Sequence, residues 1–291
     1  MSYDLYFQAD AIDFAQIEHY FSNRLNYKVA NQQAWYSNEK TGVYFYFEWN
    51  EPKESGKSDG DIEIEHPIAF NLNYFRPHVF ALEAEPEIAA FVSEFNLSIE
   101  DPQNDGMEGT AYSKDGFLRA WNAGNKFAYQ TMGNSPSVVA ARSLSMPSSV
   151  IEKCWSWNLD LPRLQEKLTD HVFVPTIMFA AHKNQMKTLV CWTDAIPIAL
   201  PEVDLILLNR DQIAKKKMMI FKSSSMALVQ YESIKPLVEK FPQEQGALPY
   251  LLLSYQHPPA NVIDFFNKQA TLTDAISIIP LDQILEKELT E

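Results

Sequence analysis

The stretch GVYFYFEW at residues 42–49 sets the fold. Val43, Phe45, Phe47 and Trp49 alternate with Tyr44, Tyr46 and Glu48, the period of a strand whose two faces meet different surroundings. Residues 34–38 precede it across a short turn, so the two stretches read as a β-hairpin. The opening residues alternate likewise, Tyr3, Leu5 and Phe7 against Asp4, Tyr6 and Gln8, and start a sheet. Asp10 or Asp13 can cap a following helix in which Phe14, Ile17, Phe21 and Leu25 form one stripe. Residues 50–60 are polar and read as a solvated loop, and residues 68–75 as a returning strand. Residues 83–95 predict a helix with Ile88, Phe91, Val92 and Phe95 on one face. Pro86 fits its first turn, where Glu83, Glu85 and Glu87 complement the helix dipole.

The order β-α-β-β-β-α predicts the α+β class: a mainly antiparallel sheet with helices packed on one face, followed by a second, α/β-type half. Residues 116–132 offer another helix around Leu118, Trp121 and Phe127, weakened by Gly124. A Ser-, Pro-, Asn- and Gly-rich stretch at 133–149 then divides an acidic α+β domain at 1–135 from a second α+β domain at 150–291. The second half opens on a Trp-rich segment at 154–168. Its strand candidates are 172–180, 188–192, 203–208, 218–221, 226–230 and 250–254, with helices at 234–241, 261–270 and 281–289.

Across 291 residues, 46% hydrophobic and 13% aromatic content excludes an unstructured chain. The net charge is −14, from 24 basic and 38 acidic side chains. It is unevenly placed: residues 48–108 hold 15 acidic side chains against Lys53, Lys57 and Arg76. A field of that sign repels phosphate backbones and attracts basic partners, so no nucleic-acid partner is expected. The start MSYDLYFQAD lacks a signal-peptide pattern, and no apolar run approaches the roughly 20 residues of a bilayer span. With only two cysteines, Cys154 and Cys191, a disulfide framework is not expected either. These features predict a cytoplasmic chain with no membrane partner.

Chemistry is not written in the motifs. There is no G-x-S-x-G elbow, no G-x-G-x-x-G and no phosphate-binding G-x-x-x-x-G-K-[ST]. The six histidines are dispersed without ligand spacing. His66, beside Glu65 and Glu63, comes nearest to a metal ligand. Cys154 and Cys191 adjoin Trp155 and Trp192 and read as small buried hydrophobes. No catalytic residue, cofactor or metal is therefore assigned. Lys215, Lys216 and Lys217 form a basic run that reads as a solvated loop.

Two clusters are candidates for contact with a partner. Asp61, Glu63 and Glu65 alternate with Ile62 and Ile64, so in a strand all three carboxylates leave one face. Such a face can protect a sheet edge, meet a basic partner, or supply oxygen ligands if other segments converge on it. Arg76, His78 and Phe80, with Phe75 and Pro77, lie between strand and helix. These residue types are enriched at interface hot spots, and they equally suit a loop pinned to a core.

The segments MSYDLYF at 1–7, GVYFYFEW at 42–49, NLNYFRPHVFALEAEPE at 71–87 and VDLILLNRD at 203–211 resemble bacterial toxin-immunity proteins. The resemblance carries no motif from which a functional residue can be transferred. It implies an acidic, cytoplasmic, non-enzymatic protein that binds its cognate toxin and blocks the toxin's active site, here through a basic cleft met by residues 48–108. Two other classes stay open: a small-molecule enzyme with its site between the halves, and a scaffold or regulatory subunit.

Overall fold

A computed structural model describes residues 1–8, 13–50, 67–103, 106–107, 109–132, 144–168, 171–213 and 226–290. The chain opens with β1 (Ser2–Gln8) and α1 (Phe14–Ser22), which the Asp13 carboxylate caps by accepting from the backbone N–H groups of Ala15 and Gln16 at 3.0 and 3.4 Å. Then follow β2 (Tyr27–Ala30), β3 (Gln33–Ser37), β4 (Tyr44–Trp49), β5 (Ile68–Asn73), α2 (Val79–Phe95), β6 (Ser98–Glu100) and α3 (Lys114–Met132). All neighbouring strands pair antiparallel, in the order β2-β3-β4-β5-β1-β6. The α+β class and the mainly antiparallel first sheet are as the sequence predicts.

Register fixes what faces what. Tyr36 pairs with Phe45, Phe47 with Phe70, and Phe70 with Leu5, so the apolar half of each alternation lands on one side. All three helices cover that side. Phe21 of α1 and Phe91 of α2 lie 4.9 and 5.1 Å from the Phe47 ring, and Phe117 of α3 meets Tyr3 and Phe70 at 5.7 and 6.0 Å.

Several sequence expectations need correction. Leu25 lies beyond α1 and is 85% exposed, because the helix stops at Ser22 before its stripe can reach that far. The second helix begins at Val79 rather than residue 83, since Val79 and Phe80 are themselves buried. Pro86 thus lies inside the helix, and no carboxylate occupies its first turn. Glu83 is buried instead, accepting at Oε1 from Tyr36 Oη (2.8 Å), Asn38 Nδ2 (2.8 Å) and Thr41 Oγ1 (3.1 Å), which ties α2 to the β3–β4 hairpin. Within α3, Trp121 and Phe117 are buried while Phe127 is 65% exposed. Gly124 has a packing reason: a Cβ there would stand 2.1 Å from Tyr74 Oη.

The second unit starts with a two-residue strand, β7 (Ser145–Met146), and α4 (Ser148–Leu168), a 21-residue helix across the segment noted only as Trp-rich. Next come β8 (Met178–His182), β9 (Gln185–Thr193), β10 (Ile198–Pro201), β11 (Leu205–Asn209), β12 (Met226–Gln230), α5 (Tyr231–Val238), β13 (Gln243–Glu244), β14 (Tyr250–Leu253), α6 (Ala260–Lys268) and β15 (Ser277–Ile279). A five-stranded sheet, β12-β11-β9-β8-β15, contains one parallel pair, β9 with β11. A three-stranded antiparallel sheet, β10-β14-β13, accompanies it. The Asn158 side chain of α4 donates to the carbonyl of Ile177 and accepts from its N–H, both at 2.9 Å. Residues 172–177, expected as strand, precede β8. The expected strand at 218–221 lies outside the described residues.

In place of the helix expected at 281–289 stand a short 3-10 turn, Leu281–Gln283, then β16 (Leu285–Glu286) and α7 (Lys287–Thr290). By compactness the chain divides into residues 1–142 with 285–291, and residues 143–284.

Two stability outcomes follow. Gly124→Ala is expected to lower the unfolding free energy by about 1–2 kcal/mol despite alanine's better helix propensity, because the Tyr74 ring packs on Trp121 and has little room to yield. Glu83→Ala strands three buried donors and is expected to cost about 3 kcal/mol, whereas Glu83→Gln, which keeps an acceptor, costs clearly less. Urea unfolding of the variants checks both; equal losses for the two Glu83 variants would contradict the acceptor role.

Candidate functional site

Asp61, Glu63 and Glu65 lie outside the described residues, as do His66 and the lysine run at 215–217. The other candidates are brought together near the start of α2. Arg76 donates to Tyr44 Oη at 2.8 Å and to the Phe75 carbonyl at 3.0 Å, with its guanidinium 5.6 Å over the Tyr44 ring. Asn125 grips the same turn by accepting from Phe75 N–H at 2.8 Å and donating to the Arg76 carbonyl at 2.9 Å, which supports the left-handed Phe75 (φ 61°). His78 pairs through Nδ1 and its backbone N–H with the buried Glu286 carboxylate. Phe80 is fully buried, its ring edge-on to Tyr44 at 5.6 Å. These contacts pin a loop to the core, one of the two roles the sequence leaves open. Close by, the Tyr129 phenol is pushed up by burial and by Glu286, with Arg76 opposing.

The acidic window divides by role. Glu83, Glu85 and Glu87 serve the fold: beside the Glu83 contacts, Tyr112 Oη donates to Glu85 at 3.1 Å, and Arg24 holds Glu87 through two hydrogen bonds of 3.1 and 2.7 Å. Glu48 and Glu100 instead stand on the sheet face opposite the helices, with Asp4. On that face the cross-strand row Lys28, Trp35, Tyr46, Asn71, Asp4 runs beside the row Ala30, Gln33, Glu48, Ala69, Tyr6, Glu100. Every one of these side chains is partly or fully exposed, and Trp35 is 42% exposed. Its indole stacks on Tyr46 at 4.7 Å and 28°, and its Nε1 donates to Gln33 Oε1 at 3.1 Å. Gln33 Nε2 donates in turn to Glu48 Oε2 at 3.1 Å. Asn71 donates to Asp4 Oδ1 at 2.5 Å. The Tyr46 phenol is pushed up by partial burial and then by Glu48 and Asp4. The face thus offers a pre-oriented aromatic pair between carboxylates. Sequence reading placed Tyr44, Tyr46 and Glu48 opposite the core side but singled out none of them as a site; an aromatic second face was the available signal.

In the second unit, a cleft of 470 Å³ is lined by Lys187, Glu202, Asp204, Tyr231 and Glu232 among others. Its charges already have partners. Asp204 accepts from the N–H and hydroxyl of Thr188, both at 2.8 Å, and Lys235 contacts Glu232 at 2.5 Å and Glu202 at 3.7 Å. Among the described residues no group of three His, Cys, Asp or Glu side chains could hold a metal ion. No described helix is long and apolar enough to cross a membrane.

Cys154 is buried in α4, and burial, reinforced by Asp204, pushes its thiol up to about 12. Cys191, read from sequence as buried, is partly exposed because it occupies the less covered side of β9. With the thiol raised this far and buried, a thiol reagent at pH 8 is expected to leave Cys154 unmodified in the folded chain and to modify it on unfolding. Peptide mapping after alkylation checks this; fast native modification of Cys154 would contradict it. No protein-family model matches the chain, and no curated protein or solved structure shows significant similarity to it.

Proposed function

We propose that the chain is an immunity-type binding protein, acting in the bacterial cytoplasm, that neutralises a cognate toxin by direct protein–protein contact. The observation that carries this reading is the face of the first sheet opposite α1, α2 and α3, where Trp35 and Tyr46 lie among Asp4, Glu48 and Glu100. Interfaces concentrate their energy in a few aromatic anchors, and complementary charge raises the encounter rate and fixes register. Three carboxylates against Lys28 favour a basic partner surface, such as a cleft that itself handles nucleic acid or nucleotides. The sequence resemblance to immunity proteins points the same way.

The small-molecule enzyme is less favoured, because Asp204 and Glu232 in the second unit's cleft are engaged by Thr188 and Lys235. A scaffold differs from an immunity protein only in what its partner does.

The test is co-expression with the product of the adjacent gene. Suppression of that product's toxicity, with a one-to-one complex, is the expected result. In that complex, reversing charge at Asp4, Glu48 and Glu100 together is expected to slow association by about ten-fold or more at low ionic strength, and much less at high salt, while dissociation changes little. Association indifferent to both salt and charge reversal would contradict the acidic face. A chain that captures no partner but is stabilised by a metabolite would favour the enzyme.

A further inference from the structure

The chemistry of the open face specifies more than a sign of charge. Trp35 and Tyr46 are neighbours across β3 and β4, and their rings stack, leaving a broad π surface beside Glu48. The indole N–H donates to Gln33 Oε1, and the Gln33 amide in turn donates to Glu48 Oε2. The second oxygen of Glu48 has no hydrogen bond among the described residues and stays available. Several aromatic rings of the chain carry their own cation: Arg24 lies over Tyr20, Arg76 over Tyr44 and Lys235 over Tyr231. Among the described residues no cation lies over Trp35, although Lys28 stands opposite it in register.

A planar ring surface next to an oriented carboxylate discriminates between basic side chains. A guanidinium is planar, weakly hydrated and rich in donors, so it can stack on the ring while its edge meets the carboxylate. An ammonium is a compact, strongly hydrated point charge and gains less from the same surface. We infer that the Trp35–Tyr46 pair, with Glu48 and Gln33, is a clamp for an arginine side chain presented by a basic protein partner. This rests on the binding-protein reading and names the group that the face recognises. Asp4, joined to the same rows through Asn71, adds to the field that draws the arginine in.

The probes are an arginine-rich peptide and a lysine-rich peptide of the same length and charge, titrated against the full chain by fluorescence anisotropy at low ionic strength. The arginine peptide is expected to bind about five-fold more tightly or better, and to move the Trp35 indole N–H resonance. Trp35→Ala should remove the preference, Trp35→Phe should keep part of it, and Glu48→Gln should weaken the arginine peptide more than the lysine peptide. Trp35 is exposed, so these variants should fold, which circular dichroism checks. Equal affinity for both peptides in every variant, or no binding of either, would overturn the clamp. The two proposals fail separately: equal peptide affinities leave toxin suppression to be judged by co-expression, and a chain that suppresses no toxin can still prefer arginine through Trp35.

Discussion

Phe47 makes the constraint on which the first unit depends. Its ring sits where β4, β5, α1 and α2 converge, and ring contacts to Phe21, Phe70 and Phe91 all fall near 5 Å. Successive residues of a strand must point to opposite faces, so committing Phe45, Phe47 and Trp49 to the helix side obliges Tyr44, Tyr46 and Glu48 to leave on the other. A one-residue slip would expose three large aromatics and bury a carboxylate. The register that makes the core therefore also makes the open face. No separate feature of the sequence is needed to place Tyr46 beside Trp35 or Glu48 beside Gln33.

Electrostatics follows the same division. Carboxylates on the helix side are satisfied locally: Glu83 by three neutral donors, Glu87 by Arg24, Glu286 by His78. Burial of an unpaired carboxylate is costly, so these positions come with donors close by. The carboxylates of the outer face accept from neutral neighbours, Asp4 from Ser2 and Asn71, Glu48 from Gln33 and Glu100 from Gln8, and stay at least partly exposed, so they can act on a partner at a distance set by screening. The net acidity of the chain thus understates how specialised its carboxylates are, because those that hold the fold and those that face outward are different residues.

Much of the first unit was legible because its signals are local. Alternation in residues 3–8 and 42–49 gave both strand faces, and of the two cap candidates, Asp10 and Asp13, the Asp13 carboxylate fills the role. The start of α2 was misread because its first turn carries no side-chain cap, while the Glu-Pro-Glu run imitates one; three-dimensional contacts with Tyr36, Asn38 and Thr41 decide the role of Glu83, and sequence spacing cannot show them. The short strands β2 and β6 were missed because pairing, rather than composition, defines them. Helix α4 was hidden by its internal Pro162 and its dense tryptophans. For the open face, the residues were visible as the second half of an alternation, but the Trp35–Gln33–Glu48 chain of hydrogen bonds needed the register between β3 and β4.

The central claim is that a protein partner sits on the face of the first sheet opposite its helices. Hydrogen–deuterium exchange on the full chain, free and bound to the captured partner, tests this most directly. The account predicts that protection gained on binding concentrates in β1, β3 and β4, around Trp35 and Tyr46, and leaves the second unit's cleft near Asp204 and Tyr231 unchanged. Protection confined to that cleft, with β3 and β4 exchanging as in the free chain, would contradict it.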